Sequence, residues 1–387
     1  MARTTFIMVL TGGGSGGHVY PLIAVADAIE KKVAELGGET ALTYIGPRDA
    51  YSKLFESRGV AVRAIAAGKI RRYVSFENLI DIPKFFIGFV QALWHLYWIM
   101  PDAVFSKGGT GAFPVVLAAW FYRIPIAIHE SDAQPGLTNV ASARFASKIF
   151  TSFTRAAQFF DFARTVVSGA PIRPELLDVR PSKESAKETL GMKPDEPLTL
   201  VIGGSQGSVR INEFIIANLP GILQLTQVMH QTGIANFADA KRLSDAALAA
   251  RPAREVVRYK PISYFAATDP SGADDLKVAL AAADLVIMRP GGTIFEVASF
   301  GDPAILIPIA ESANDHQRVN AYEFANAGAG VVIEEVNLLP GIFMAELKRL
   351  IGNAELRKTM GVASARFFIH GAAKTIADGI VAMASGR

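Results

Sequence analysis

No cysteine occurs in the 387-residue sequence, so disulfide bonds and thiolate metal sites are excluded. The chain also has little net charge: 39 basic and 36 acidic side chains leave +3, which gives no reason to expect a nucleic-acid partner. Its first apolar run is short and ends in glycines, unlike the hydrophobic stretch of a secretory signal. We therefore expect a cytoplasmic protein, and the length, with 50% hydrophobic residues, favours two folded domains.

Metal-binding patterns are also missing from the sequence. There is no Asp-x-Asp motif, and no pair of histidines or carboxylates has a convincing metal-ligand spacing on a helix. We predict that the protein needs neither a metal ion nor a cofactor, and that backbone amides and helix dipoles bind any phosphate groups.

Long hydrophobic runs are limited to one segment, residues 85–100. It is shorter than the roughly 20 residues that span a bilayer, and Gln91 and His95 interrupt it, so we favour a buried helix. The residues before it mix cations with apolar side chains, which suits contact with an anionic lipid surface. A membrane patch is therefore the alternative, formed by Lys69, Arg71, Arg72, Phe76, Leu79, Lys84 and Phe85, with Trp120 and Phe121 either joining it or buried.

Apolar strand-like runs alternate with helical stretches along the chain, which predicts parallel sheets in an α/β fold. The strands predicted in the first half are residues 6–10, 41–45, 61–65, 103–105, 124–129 and 148–151. After a loop near residues 168–174 the pattern restarts, with strands at 198–202, 225–230, 255–259, 284–288, 304–308 and 330–333. Two doubly wound units follow from this repetition.

The first strand leads into a glycine-rich loop, residues 11–17, which is followed at once by His18. Glycines allow a sharp turn and bring backbone amides close to an anionic group. A helix predicted to begin near Pro21 would direct its positive dipole end at the same point. An unperturbed imidazole can accept a proton near neutral pH, so His18 is our candidate general base. Alternatively, it hydrogen-bonds a phosphate or caps the helix.

Two more glycine loops follow predicted strands, at residues 107–111 and 203–207. Ligands of open α/β sheets bind beyond the carboxyl ends of the strands, so we expect these loops to contribute to one ligand site. Three such loops predict a ligand with more than one phosphate group.

Gly12, Gly14 and Gly17 also match the G-x-G-x-x-G spacing of dinucleotide-binding enzymes. Those enzymes place an acidic residue at the end of the second strand to hold the ribose. Here the second strand ends at residues 43–46 without a carboxylate. The missing carboxylate argues against a dinucleotide-dependent oxidoreductase, so we regard that function as a weak hypothesis.

Six segments, in order along nearly the whole chain, resemble the MurG family. They are GGGSGGHVYP at 12–21, GKIRRY at 68–73, HESDAQPGLTN at 129–139, GGSQG at 203–207, HQTG at 230–233 and DHQRVNA at 315–321. Members of this family transfer N-acetylglucosamine from UDP-GlcNAc to lipid I, undecaprenyl-pyrophosphoryl-MurNAc-pentapeptide, to form lipid II in peptidoglycan synthesis. The resemblance thus implies an inverting, UDP-GlcNAc-dependent glycosyltransferase.

The resemblance also implies a GT-B fold, in which two Rossmann-like, doubly wound domains face each other across a cleft. We predict an N-terminal domain over residues 1–166 that binds the acceptor and the membrane, and a C-terminal domain over 167–365 that binds UDP-GlcNAc. A final helix within 366–387 is expected to pack back on the N-terminal domain.

The resemblance further assigns roles to single side chains. Glu296, one helical turn after Thr293, would accept hydrogen bonds from the ribose hydroxyls, Gln317 would read the sugar, and His316 would either read the sugar or cap a turn. The set predicted to bind UDP-GlcNAc is Ser15, Gly16, Gly17, Asp132, Arg173, Ser205, Gly291, Gly292, Thr293, Glu296, Gln317 and Asn320. The acceptor and its phosphates are assigned to Gly13, Gly14, Gly108, Gly109, Thr110 and Asn139.

The chain departs from the family pattern at Asp132 and Ala170, where asparagine is common, and at Pro290, where a small residue is usual. An ionised Asp132 only accepts hydrogen bonds, which changes the sugar contact expected there. Residues 264–273 resemble an insertion near the expected uracil site, so base recognition is expected to use a different loop.

The expected partners are UDP-GlcNAc, the polyprenyl-linked lipid I acceptor and the cytoplasmic face of the cell membrane, to which the protein would bind peripherally. No nucleic acid is expected. Two alternatives stay open: a related GT-B transferase with another lipid or natural-product acceptor, and a non-catalytic GT-B membrane adaptor. The presence of both His18 and Glu296 favours an active enzyme.

Overall fold

A computed structural model describes residues 5–13, 16–48, 51–68, 76–109, 111–204, 206–265, 275–310 and 315–386, with only the backbone of 76–80. Seven predicted site or patch residues fall outside these ranges: Gly14, Ser15, Lys69, Arg71, Arg72, Thr110 and Ser205. The chain divides into two compact units, residues 1–172 with 369–387 and residues 173–368. Each unit contains a parallel sheet with helices, which confirms the predicted α/β class.

The first unit contains a seven-stranded parallel sheet in the order β3-β2-β1-β4-β5-β6-β7. Its strands are β1 (Thr5–Gly13), β2 (Glu39–Gly46), β3 (Ala61–Ala64), β4 (Ala103–Gly109), β5 (Ile126–Glu130), β6 (Lys148–Thr151) and β7 (Thr165–Val167). Central strands such as β4 and β5 are buried along almost their whole length, as expected of a sheet covered on both faces.

The helices of the first unit come from both ends of the chain. They are α1 (Gly16–Glu35), α2 (Ser52–Glu56), α3 (Phe76–Ile99), α4 (Ala112–Phe121), α5 (Leu137–Ser142), α6 (Thr154–Ala157) and, from the end of the chain, α16 (Ala372–Ala384). The apolar residues Ile376 and Ile380 of α16 are fully buried in the same core as Leu22 and Ile29 of α1. The last helix is therefore a core element of the first unit.

The second unit contains a six-stranded parallel sheet in the order β10-β9-β8-β11-β12-β13. Its strands are β8 (Leu198–Ile202), β9 (Gln227–Gln231), β10 (Tyr259–Ile262), β11 (Leu285–Met288), β12 (Ala304–Leu306) and β13 (Gly330–Val332). Its helices are α7 (Lys183–Thr189), α8 (Val209–Ile222), α9 (Phe237–Leu248), α10 (Ala253–Val256), α11 (Leu276–Ala282), α12 (Thr293–Phe300), α13 (His316–Asn326), α14 (Pro340–Ile351) and α15 (Ala354–Phe367).

The strand order of each sheet reverses beside its first strand, between β1 and β4 in the first unit and between β8 and β11 in the second. Ligands of open α/β sheets bind at such points, outside the carboxyl ends of the strands. The glycine loops predicted at residues 11–17 and 107–111 follow β1 and β4, and the loop at 203–207 follows β8. Each predicted loop therefore lies at a switch point.

One predicted strand is wrong. Residues 255–259 were expected to be extended, but Ala253–Val256 form the short helix α10, and the strand begins only at Tyr259. The carbonyl of Pro252 accepts the amide of Glu255 at 2.8 Å, which closes a helical turn directly after the proline. The short edge strand β7 has no counterpart among the predicted strands.

Helix α3 has two different faces, so the expectation that it is buried is only half correct. Ala92 and Leu96 are completely buried, whereas Trp94 and Trp98 are 62% and 68% exposed. The polar residue Gln91 faces the protein, where its side chain accepts the amide of Ala66 at 2.7 Å. The exposed apolar residues on and just after this helix are Ile82, Phe86, Ile87, Val90, Trp94, Tyr97, Trp98 and Met100.

Within the described residues, one helical run, 354–384, is long and apolar enough to cross a membrane. It consists of α15 and α16, which are separated at residues 368–371, and α16 lies in the core of the first unit. A core helix of this kind satisfies the same length and composition criteria, so this run does not indicate a membrane span.

Candidate active site

The first glycine loop is shorter than predicted, because β1 extends to Gly13 and α1 already begins at Gly16. The predicted helix start near Pro21 is therefore wrong, since Pro21 lies inside the helix. Its fixed backbone angle is compatible with helical geometry, so the proline did not mark the boundary. His18 consequently lies on the first turn of α1, close to the positive end of the helix dipole.

His18 is half-buried and its imidazole lies directly against the second glycine loop. A Cβ atom at Gly109 would lie 3.0 Å from Cδ2 and 3.1 Å from Nε2 of His18. Gly109 has φ +85° and pairs with Gly13 of the neighbouring strand, whose carbonyl would be only 2.6 Å from the same Cβ atom. Only glycine fits at this position, and its absence of a side chain makes room for the imidazole.

Tyr44 of β2 anchors the start of the first glycine loop. The Tyr44 hydroxyl donates a hydrogen bond to the carbonyl of Gly12, and its ring stacks on Phe55 with centroids 4.2 Å apart. Both aromatic side chains are almost completely buried. The end of β1 is thereby anchored to the sheet and to α2.

Two buried charges lie at the carboxyl ends of β4 and β5, and sequence reasoning missed both. Lys107 is 1% exposed, and its ammonium group has no hydrogen-bond partner within the described part of the chain. Burial lowers the pKa of Lys107, and the nearby carboxylates of Glu130 and Asp132 oppose that shift. The signal in the sequence was a charged residue at the end of an apolar strand.

Glu130 is 2% exposed and organises the loop that follows β5. Its carboxylate accepts the amides of Asp132 at 2.9 Å and Gly136 at 3.0 Å, and the side-chain amide of Asn139 at 3.0 Å. Burial and the charge of Asp132 raise the pKa of Glu130, whereas Lys107 and these hydrogen bonds act against the rise. The loop is thus folded around one buried carboxylate.

The predicted residues Asp132 and Asn139 both lie in this loop of the first unit. Asn139 is buried, donates also to the carbonyl of His129 at 3.1 Å, and its Oδ1 is 2.6 Å from the position of a Cβ atom at Gly108. Asn139 therefore connects the loop after β5 to the second glycine loop. Their part in binding sugar or acceptor stays a prediction.

In the second unit, the predicted nucleotide residues Arg173 and Glu296 form a buried ion pair. Arg173 Nε lies 2.8 Å from Oε1 of Glu296 and Nη2 lies 3.4 Å from Oε2, and both residues are buried. The pair connects the start of the second unit to α12, and charge-assisted pairing in this geometry fixes the orientation of the carboxylate. Ribose binding by Glu296 stays a prediction.

The turn before α12 leads from the end of β11 through Arg289 to Gly291 and Gly292, and Thr293 is the first residue of the helix. The amide of Gly291 donates to the carbonyl of Arg289 at 2.9 Å, so it closes this turn. Arg289 is itself buried and donates to Ile307 at 2.9 Å and to the hydroxyl of Ser208 at 3.0 Å. Gly292 and Thr293 contribute the first amides of α12, where the helix dipole favours an anion.

Gln317 and Asn320 lie one turn apart on α13, and both contact the backbone of the unit. The side-chain oxygen of Gln317 accepts the amide of Ile309 at 3.1 Å. Asn320 is 1% exposed and donates to the carbonyl of Pro290 at 3.1 Å, which ties α13 to the turn before α12. His316 begins the same helix. Sugar recognition by these residues stays a prediction.

No group of three or more metal-ligating side chains occurs within the described ranges. The chemistry that the described residues offer is therefore an imidazole at a helix start between two glycine loops, and amide donors beside a buried carboxylate. Such groups can take a proton from an alcohol and stabilise a phosphate that leaves a sugar.

Family models match both parts of the chain. The glycosyltransferase family 28 N-terminal domain matches residues 8–151, and the glycosyltransferase family 28 C-terminal domain matches residues 198–376. Together these matches cover most of the sequence.

The chain is 36% identical to the UDP-N-acetylglucosamine–N-acetylmuramyl-(pentapeptide) pyrophosphoryl-undecaprenol N-acetylglucosamine transferase of Shouchella clausii over 347 residues, 89% of this chain and 90% of that protein. A transferase of the same name, numbered 2, from Bacillus cereus is 32% identical over 355 residues, 91% of this chain and 93% of that protein.

Among solved structures, Acinetobacter baumannii MurG superposes with a TM-score of 0.70 at 24% identity, covering 98% of this chain and 99% of that one. A putative UDP-N-acetylglucosamine 2-epimerase of Listeria monocytogenes gives a TM-score of 0.70 at 17% identity, covering 99% and 98%. Both likenesses support the GT-B fold class. The family models and the relatives together show that this chain belongs to glycosyltransferase family 28 and, within it, to the MurG family.

Proposed function

We propose that the protein is an inverting glycosyltransferase that moves N-acetylglucosamine from UDP-GlcNAc to an undecaprenyl-pyrophosphoryl-MurNAc-pentapeptide acceptor. The observation that carries this proposal is the near-complete alignment with transferases named for that reaction, together with an imidazole placed between two glycine loops. The product would be the lipid-linked disaccharide used in peptidoglycan synthesis, so that loss of the activity would disturb cell shape and division.

In the proposed reaction, His18 takes the proton from the acceptor hydroxyl as that oxygen attacks the anomeric carbon. The bond between the anomeric carbon and the diphosphate breaks, and UDP leaves with the negative charge. The amides of Gly292 and Thr293 stabilise this charge. The carboxylate of Glu296, held by Arg173, accepts hydrogen bonds from the ribose hydroxyls. His18 contributes roughly a hundred- to ten-thousandfold in rate if it acts as a general base.

The direct test supplies UDP-GlcNAc with a labelled sugar to the purified protein and a lipid I analogue. Labelled lipid product, formed faster than with UDP-glucose or with a soluble acceptor that lacks the pyrophosphate, is the expected result. Transfer to a natural-product acceptor but not to the lipid would favour the related transferase, and UDP-GlcNAc binding without any turnover would favour an adaptor.

We further propose that the protein docks peripherally on the cytoplasmic face of the membrane through the exposed side of α3. Large apolar side chains recur there at helical spacing, with Phe86, Val90 and Trp94 each separated by one turn. Exposed tryptophans favour the interface between water and lipid, and Lys84 is exposed on the same helix. Trp120 and Phe121 at the end of the neighbouring α4 are also more than half exposed.

Vesicle co-sedimentation tests this docking surface. Trp94→Ser with Trp98→Ser should reduce binding to anionic vesicles at least fivefold without changing the thermal midpoint, because both side chains are exposed. Val179→Ser, at a residue of the second unit that is 94% exposed, is the control and should bind like the wild type. Binding that does not depend on lipid charge would remove the electrostatic part of the proposal.

A further inference from the structure

Gln231, the last residue of β9, connects two loops of the second unit through one side chain. Its Nε2 donates to the carbonyl of Gly204 at 2.9 Å, and its Oε1 accepts the amide of Phe265 at 3.1 Å. The side chain is 4% exposed, so both hydrogen bonds are shielded from water. Because the carbonyl can only accept and the amide can only donate, these partners fix the orientation of the Gln231 amide.

The two loops have different predicted tasks. Gly204 lies in the turn after β8, where the phosphates of the nucleotide are expected, and Phe265 lies in the segment after β10, near the expected base site. The strands β8, β9 and β10 are neighbours in the sheet, so Gln231 stands between the two loops. One buried amide therefore joins the parts expected to bind the two ends of UDP.

Backbone packing at this junction leaves almost no space. A Cβ atom at Gly207 would lie 2.0 Å from the carbonyl oxygen of Thr232, and one at Gly233 would lie 2.3 Å from that of Gln206. On the other side, the amide of Gly233 donates to Ser263 at 3.0 Å. The end of β9 is thus in direct contact with both loops, and a shift of one loop would displace the other.

The strand that carries Gln231 is fixed by a buried network around His230. The imidazole bonds the hydroxyl of Tyr259 and Oδ1 of Asn212, each at 3.0 Å, and Asn212 donates to the carbonyl of Thr232 at 2.8 Å. Burial lowers the pKa of His230 to about 3, so the ring is neutral and donates through Nε2 to Asn212. The network around His230 that supports Gln231 therefore keeps the same charge near neutral pH.

We propose that Gln231 is a positioning residue that holds the turn at Gly203 and Gly204 in register with the chain at Phe265, so that both ends of UDP meet a preformed site. This inference rests on the proposed function, which supplies UDP-GlcNAc as the donor. Without the amide, one carbonyl and one amide are left buried without their partner, and the loops must be ordered when the nucleotide binds.

The same strand offers a matched control. Gln227, the first residue of β9, is 2% exposed and bonds backbone in the same manner: its Oε1 accepts the amide of Lys193 at 2.8 Å and its Nε2 donates to the carbonyl of that residue at 3.0 Å. It lies at the amino end of the strand, away from the glycine loops. Its Nε2 also donates to the carbonyl of Glu196 at 3.3 Å, so Gln227→Leu removes buried bonds of the same kind, and one more of them, without affecting the predicted nucleotide site.

The experiment measures UDP binding to the full-length protein by calorimetry, and steady-state kinetics where turnover is present. Gln231→Leu should weaken UDP binding at least tenfold and raise the KM for UDP-GlcNAc by a similar factor, with kcat and the KM for the acceptor within threefold. Gln227→Leu should lower the thermal midpoint comparably and leave UDP binding within twofold of the wild type.

Equal loss of UDP affinity in both variants, or normal affinity in Gln231→Leu, would overturn the inference. Wild-type protein that binds UDP but glycosylates no lipid acceptor would refute the proposed function alone, because the binding comparison remains interpretable. Wild-type protein that does not bind UDP would refute both.

Discussion

Gly109 shows how closely the candidate base is surrounded. A Cβ atom there would meet both the carbonyl of Gly13 and the ring of His18, whereas Gly37, with a similar φ of +74°, has nothing within 4 Å. Both substitutions by alanine strain the backbone by about 1 kcal/mol. Only Gly109→Ala also displaces the imidazole, so it should lower turnover at least tenfold in the labelled-sugar assay while Gly37→Ala remains near the wild type. Equal activities would remove His18 from its proposed position.

Lys107 and Glu130 are opposite charges buried in the same part of the first unit. Burial disfavours both charges, they form no ion pair with each other, and each partly offsets the cost of burying the other. A double-mutant cycle of Lys107→Met and Glu130→Gln, measured by urea unfolding, should therefore give a coupling energy of about 1–3 kcal/mol. Strictly additive losses would mean that the two charges act independently.

The motifs in the sequence identified candidate site residues, but they did not show which charged side chains near the site are buried. The glycines before His18 were visible as a pattern, and the imidazole does lie against the second glycine loop. Lys107 and Glu130 stand inside motifs that were recognised, but their importance comes from being closed off from water by strands that are distant in sequence. Arg173 and Glu296 were each predicted singly, and their pairing across 123 positions required the fold.

At the scale of elements, runs of apolar residues predicted most strands correctly because both sheets are parallel and buried on both faces. The failures have local causes. Val256 and Val257 favour extended structure, but Pro252 starts a helical turn that includes the first of them. The apolar composition of α3 predicted that the helix is buried. The helix is in fact apolar on both its core face and its exposed face, and composition alone does not distinguish a buried apolar face from an exposed one.

The turn between α12 and β12 contains a buried carboxyl, Asp302, beside a groove of about 530 Å³ at the amino ends of the strands. Burial raises the pKa of Asp302 to about 8, against the attraction of Lys183. The folded protein therefore keeps a proton that the unfolded chain has lost between pH 4 and pH 8, and stability should fall as the pH rises through this window.

Asp302→Asn should remove that dependence and stabilise the protein at pH 8 by on the order of 2–4 kcal/mol relative to the wild type. Urea unfolding followed by circular dichroism at pH 5 and pH 8 measures the effect. Asp284→Asn, which breaks the pairs with Lys183 and Lys187, should instead destabilise the protein. A wild-type stability that rises from pH 5 to pH 8, unaltered by Asp302→Asn, would contradict the assignment.

At the scale of the whole molecule, the chain leaves the first unit at residue 172 and returns to it at residue 369. Deleting residues 372–387 removes Ile376, Ile380 and Val381 from the core shared with α1. The shortened protein should lose the unfolding transition of the first unit, because the core of that unit is no longer complete. Tryptophan fluorescence monitors this transition, since Trp94, Trp98 and Trp120 all lie in the first unit. A native-like fluorescence transition after the deletion would show that α16 is dispensable.

The most direct test of the catalytic account compares wild type and His18→Ala in two measurements on the same preparation: UDP-GlcNAc binding by calorimetry and transfer of labelled sugar to a lipid I analogue. The account predicts affinity within threefold of the wild type and turnover reduced by at least about a hundredfold, because only proton removal is lost. Turnover within a few fold of the wild type would contradict the role of His18, and so would a loss of turnover that a matching loss of nucleotide affinity explains.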